Sequence, residues 1–134
     1  MTGEELAGAA LALVGTPFRL HGRDPSRGLD CIGVLEAAAS SCGVPVRLPN
    51  GYALRSRRLP ELAAIAGSLS LGAASGAIRA GDVLLLRPGP CQHHLAIAVG
   101  ERRIVHAHAG LRKVVASVLP ETWPIARRWR AGSI

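Results

Sequence analysis

Apolar positions recur at two different periods along this chain, helical in its first half and strand-like in its second. Leu6, Ala9, Ala10 and Leu13 follow the i, i+3, i+4, i+7 rule that lines one face of a helix. The residues just before them, Thr2-Gly-Glu-Glu5, have the form of a capping box, with Thr2 as N-cap and Glu5 at N3. Gly15 stands where that helix is expected to stop. Residues 15 to 29 are punctuated by Gly and Pro and read as loop. Asp30 then caps a second helix that carries Ile32, Leu35, Ala38 and Ala39, and Gly43 closes it as a left-handed cap. After a Pro-containing loop, Leu59 to Leu71 predicts a third helix.

From Gly81 onward the period changes. Val83 to Leu86, Leu95 to Val99, Arg103 to His106, Val114 to Val118 and Ile125 to Trp129 are short and often β-branched. Gly, Pro or charged residues separate them, as in an antiparallel meander. Helices first and strands later define an α+β class, with N-terminal helices packed on a C-terminal antiparallel β-sheet. A chain of 134 residues suits one domain, taken here as 1–134.

Composition sharpens this outline. Apolar residues make up 49% of the chain but aromatic ones only 3%, so Leu, Val, Ile and Ala must fill the core. No apolar run approaches the ~18 residues a membrane span requires. The start, Met1-Thr-Gly-Glu-Glu-Leu, places acids where a signal peptide carries Lys or Arg, so synthesis in the cytoplasm without an export signal is expected. The formal charge of +7 draws polyanions: nucleic acid, anionic membrane or acidic wall polymer. One Tyr, one Phe and two Trp leave no set of aromatic platforms, so nucleic acid is not the expected partner.

The candidate chemistry begins at Cys31, directly behind the helix-capping Asp30. Three cysteines cannot all pair, and the missing export signal argues for free thiols. Cys31 and Cys42 would lie about 16 Å apart along one helix, too far to bond. A helix N-terminus favours thiolate, and a neighbouring imidazolium favours it further, so Cys31 is expected to be the most reactive thiol. The histidines form two groups: His21 in the early loop, and His93, His94, His106 and His108 on the predicted sheet. His94 and His106 straddle the turn at Gly100-Glu101, and strand alternation places even-numbered residues of that hairpin on one face. His93 then points the other way, while parity does not separate His106 from His108. A thiol, a base and a group that orients the base form an activated nucleophile. Spacing alone leaves two other readings open. Cys31 and the histidines fit a purely structural role, and Cys91-x-x-His94 with His106-x-His108 offers four zinc-competent ligands. The zinc reading gives the Asp30-Cys31 helix start no task.

At these residues the chain resembles the NlpC-type cell-wall cysteine peptidases, a papain-like family. Gly15-Thr-Pro-Phe-Arg-Leu-His-Gly22 is similar to the family's Gly-x-Pro-Tyr-x-x-Gly-Gly, and Asp30-Cys-Ile-Gly33 to its Asp-Cys-Ser-Gly. Gly81-Asp-Val-Leu-Leu-Leu-Arg87 resembles the strand that opens with Gly-Asp. His94-Leu-Ala-Ile-Ala-Val-Gly100 is similar to His-Val-Gly-Ile-Tyr-x-Gly, and Ile104-Val-His-Ala107 to Phe-Ile-His-Ala. The order and gaps of these motifs extend the resemblance over nearly the whole chain.

The resemblance implies a papain-like peptidase core that hydrolyses amide bonds of peptidoglycan stem peptides, of the γ-D-glutamyl-diaminopimelate type. It does so through a Cys-His-His triad and a thioester, without cofactor or metal. It implies Cys31 as nucleophile, His94 as general base and His106 as the residue orienting it. His108 becomes a neighbour, and His93 an outward or supporting residue. Two departures bear on substrate binding: Phe18 replaces the family tyrosine, and Ile32 replaces the serine after the cysteine. His21 stands at a family glycine and offers a replacement hydrogen bond. Alternatives on the same fold are the zinc site and an inactive wall-peptide-binding module. Short members without export signals resemble those encoded with phage tails or gene transfer agents. Tail proteins are therefore expected partners, with action on the cell wall or periplasm as part of a phage-like particle.

Overall fold

In a computed structural model of the chain, residues 1–48 and 63–131 are described. Helix α1 (Gly3–Leu11) opens with the expected capping box. The Thr2 hydroxyl accepts the Glu5 N–H at 3.1 Å, and the Glu5 carboxylate accepts the Thr2 N–H at 3.0 Å. The helix ends before Leu13, and the chain turns so that Gly15, at φ 94°, donates its N–H to Val114 O at 2.8 Å. Gly15 therefore ties the loop to the sheet instead of capping the helix. A small hairpin that periodicity did not reveal follows, β1 (Arg23–Asp24) with β2 (Gly28–Leu29).

Helix α2 (Cys31–Ser41) has Asp30 as N-cap and Gly43, at φ 83°, just past its C-cap. The third expected helix, 59–71, is shorter: α3 runs Ala63–Ser68, and its expected first residues lie outside the described ones. Ser70 has a positive φ of 56°, so the helix stops there. Leu71 belongs instead to strand β3 (Leu71–Ala73).

The remaining strands are β4 (Val83–Gly89), β5 (Gln92–Ala98), β6 (Arg103–His108), β7 (Lys113–Val118) and β8 (Ile125–Ala131). They form an antiparallel sheet in the order β3-β8-β4-β5-β6-β7, so the meander ends with β8 returning to pair β4. Buried Asp82 fixes that return, gripped by Arg130 through Nε at 2.8 Å and Nη2 at 2.9 Å.

Both faces of the sheet are covered, which explains the unbroken apolar run Val83-Leu-Leu-Leu86. Val83, Leu85, Leu95, Ile97, Val105 and Ala107 meet Leu6, Ala10, Leu35, Ala38 and Ala39 of the helices. Leu84, Leu86, Ala96, Ala98 and Ile104 form a smaller cluster on the other face, closed by Leu119, Ile78 and Trp123. Each buried Leu contributes about 1.5–3 kcal/mol, so α2 is held firmly where its first residue meets the sheet.

Candidate active site

Cys31 is the first residue of α2, and the Asp30 carboxylate fixes that helix end by holding two backbone N–H groups. Asp30 Oδ1 accepts the Gly33 N–H at 2.8 Å, and Asp30 Oδ2 accepts the His21 N–H at 3.0 Å. Gly33 has no Cβ, and one there would strike the carbonyl oxygen of Gly22, so glycine lets the 15–29 loop close on the helix start. His21 contributes its backbone to this arrangement, at a positive φ of 61°, and its side chain is exposed. Phe18 is half-buried against the helix-side core, and its N–H donates to Arg112 O at 2.9 Å.

The thiol faces β5. The N–H of Leu95 donates to it, one residue along the strand from His94. Strands β5 and β6 pair at Ile97↔Val105 and Ala98↔Ile104, and the thiol takes up the β5 backbone beyond that ladder. Cys31 packs with the helix-side row that includes Leu95 and Ile97, whereas His94 and His106 stand with the Trp123 side. The link between the two groups is the β5 backbone: the thiol is bonded to the N–H of Leu95, the residue next to His94.

His94 and His106 are brought together, with His94 Nε2 lying 2.8 Å from His106 Nδ1. Nδ1 of His94 is left as the ring nitrogen for other chemistry. His106 Nε2 in turn lies 3.1 Å from Ser117 Oγ on β7. When His106 donates from Nε2 to that hydroxyl, its Nδ1 accepts from His94, and His94 Nδ1 carries a lone pair. Trp123 meets both rings edge-on, with centroids at 5.9 Å from His94 and 5.8 Å from His106. Neither Ser117 nor Trp123 emerged from the sequence. Ser117 becomes visible only once the β6–β7 register sets it opposite Ile104, and Trp123 lies outside every strand.

Burial sets the electrostatics. It pushes the Cys31 thiol up to about 12, with the Asp30 charge adding to the rise and the Leu95 N–H opposing it. It also brings His94 and His106 down to about 4, helped by repulsion among His94, His106 and His108. The sequence expectation of a thiolate at rest is therefore corrected: desolvation outweighs the helix N-terminus, and thiol and imidazole are both neutral near pH 7.

Of the other expected residues, His108 stays a neighbour of the pair, its ring centroid 5.7 Å from that of His106, and the rest separate. His93 is buried, not outward, because strand alternation sets it on the helix-facing row with Leu95. Ile32 is buried in the core. His108 sits at the strand end, where its Nδ1 accepts the Leu111 N–H at 3.0 Å. The zinc alternative does not assemble. Cys91 is exposed in the β4–β5 turn, and His94 and His106 spend their facing nitrogens on each other. Among the described residues no group of three or more His, Cys, Asp and Glu gathers as a metal would need. No helix among them is long and apolar enough to cross a membrane.

The profile of the NlpC/P60 family matches residues 15–132, and the chain belongs to that family. Its fold is the papain-like one of solved family structures. NlpC1 from Trichomonas vaginalis is similar over 96% of this chain and 43% of its own, at 19% identity and TM-score 0.69. The NlpC/p60 domain of the peptidoglycan hydrolase SagA matches over 98% of this chain and all of its own length, at 21% identity and TM-score 0.65. The peptidoglycan hydrolase RipB from Mycobacterium tuberculosis matches over 96% and 63%, at 20% identity and TM-score 0.58. The chain thus spans less than half the length of the Trichomonas protein. Comparison with curated protein sequences gave no match.

Proposed function

We propose that the domain is a cysteine peptidase that hydrolyses amide bonds in peptidoglycan stem peptides, with the γ-D-glutamyl-diaminopimelate bond as its target type. The observation that carries this reading is the bond of the Leu95 N–H to the Cys31 thiol, one residue along β5 from His94, whose Nε2 lies 2.8 Å from His106 Nδ1. Family membership supports it, as does the likeness to two proteins described as peptidoglycan hydrolases.

Because thiol and imidazole start neutral, proton transfer accompanies attack. The Cys31 sulfur bonds to the carbonyl carbon as its proton passes to His94 Nδ1. The carbonyl π pair moves to oxygen, within reach of the Cys31 and Ile32 N–H groups that lie against the sulfur. His94 then gives the proton to the leaving amine as the C–N bond breaks, leaving a thioester. Water attacks that thioester, His94 takes its proton and returns it to sulfur, and the acid departs. His106 holds the His94 ring in place and shares the positive charge while His94 is protonated.

Purified muropeptides incubated with the chain, read by mass spectrometry beside Cys31→Ala, test the reading. New amine and acid termini that vanish in the variant support it. Binding without cleavage points to the inactive wall-peptide-binding module, and unchanged cleavage in Cys31→Ala overturns the nucleophile. Delivery by a phage-like tail is part of the same proposal, and its test is co-purification of the chain with such particles.

A further inference from the structure

Arg23 is a partly buried cation next to the nucleophile's helix that the chemistry above leaves without a task. Its Nη1 lies 2.7 Å from Asp30 Oδ1 and 3.0 Å from Gly22 O, and its Nε lies 3.5 Å from Glu36 Oε2. Asp30 is buried and is the N-cap, with its carboxylate one residue before the thiol. Glu36 lies further along the same helix, where it also accepts the Leu48 N–H at 2.8 Å. The β1–β2 hairpin that holds Arg23 exists to make this approach, since Arg23 pairs directly with Leu29 next to the cap.

We propose that Arg23 is a positioning residue for Cys31: by holding the capping carboxylate of Asp30, it offsets a negative charge that would otherwise oppose ionisation of the thiol. This inference rests on the reading of Cys31 as nucleophile. The cap needs an acceptor for the Gly33 N–H, and a carboxylate fills that role strongly, but its charge sits beside the developing thiolate. The Asp30 charge indeed acts to raise the thiol, after burial. A guanidinium on the same oxygen keeps the cap and sets a positive charge against it. The other titratable group at this point is Glu36 on α2, which shares Arg23 with Asp30.

The test is the pH dependence of Cys31 alkylation by iodoacetamide in the full chain, read site by site by mass spectrometry. Cys42 and Cys91 serve as references in the same tube. The thiolate displaces iodide, so the rate follows the ionised fraction and needs no substrate. Arg23→Gln should shift the Cys31 profile upward by about one unit, making alkylation near neutrality about tenfold slower, with the two reference thiols unmoved. Arg23→Lys should recover part of the loss. Asp30→Asn keeps an acceptor at the cap and should shift the profile downward, and in that background Arg23→Gln should have little further effect. If Arg23→Gln does not fold, Arg23→Lys and Asp30→Asn still decide by the direction of their shifts. A profile identical to the parent in every folded variant, with only the melting temperature lowered, overturns the proposal. Full muropeptide cleavage by Cys31→Ala would end the functional reading separately, without altering what the alkylation profiles say about Arg23.

Discussion

His94 Nε2 and His106 Nδ1 face each other at 2.8 Å with ring planes 82° apart, a geometry in which one proton is shared between two imidazoles. Ser117 and Trp123 complete it: the hydroxyl meets the far nitrogen of His106, and the indole covers both rings. A base oriented by a second histidine keeps its direction when protonated, because the partner can accept the hydrogen bond.

His94 and His106 should differ in what their loss removes. His94→Ala takes away the proton acceptor itself, a contribution typically of 10²–10⁴-fold in rate. His106→Ala leaves the acceptor but not its orientation, and should cost less. His106→Asn or His106→Gln should recover part of that loss, and Ser117→Ala should cost less again. Muropeptide turnover ranks the variants. An undiminished rate in His94→Ala, or a silent His106→Ala beside a damaging His108→Ala, would reassign the roles.

The buried histidines also tie stability to pH. Both fall from an ordinary 6.5 to about 4 in the fold, through burial first and then repulsion from neighbouring imidazoles, that of His108 in both cases. Between those values the unfolded chain binds protons that the folded chain does not, so stability rises with pH there. The contribution is complete above about 6.5, is lost progressively down to about 4, and changes no further below. With both imidazoles counted the slope is at most about 2.7 kcal/mol per pH unit. Urea midpoints across this range should converge for the parent and a His94→Gln/His106→Gln double variant as pH falls. Parallel curves would contradict it.

Trp123 gives a way to move those titrations without touching the histidines. Edge-to-face contacts of this kind contribute about 0.5–1.5 kcal/mol beyond the area they bury. Trp123→Ala opens the pair to water, so both histidines should titrate closer to 6.5 by NMR. Trp123→Phe keeps a ring over them and should move them less. Unshifted histidines in Trp123→Ala would show that burial by the indole is not what holds them down.

Much of this was legible in the chain. The Asp30 cap and the α2 face follow from local periodicity, and alternation put His94 on one face with His106 or His108, a choice that only the family resemblance decided. What was hidden depends on pairing between distant segments. Leu71 looks helical until its partner in β8 is known, and Gly15 looks like a helix stop until Val114 claims its N–H. Arg23, Ser117 and Trp123 reach the site only through a hairpin, a register and a loop that no local pattern encodes. The thiol's direction was misjudged for a related reason. A helix N-terminus can be read from sequence, but the depth of burial that outweighs it arises from both halves of the chain.

Two helical glycines should respond oppositely to the same substitution. Gly8 lies within α1 and a Cβ there meets nothing within 4 Å, so Gly8→Ala should stabilise by about 0.5–1 kcal/mol through reduced freedom of the unfolded chain. Gly33 lies in the first turn of α2, where a Cβ strikes the Gly22 carbonyl and touches Leu29 Cδ2 at 3.2 Å. Gly33→Ala forces the 15–29 loop off the helix start and should destabilise by about 1–3 kcal/mol. The displaced loop carries the His21 N–H and Arg23, which hold Asp30, so the Cys31 alkylation profile should move as well. Urea unfolding measures the first pair of effects and site-resolved alkylation the last. A Gly33→Ala chain as stable as Gly8→Ala would mean that the loop does not rest on the helix start, and that the support assigned to Asp30 lies elsewhere.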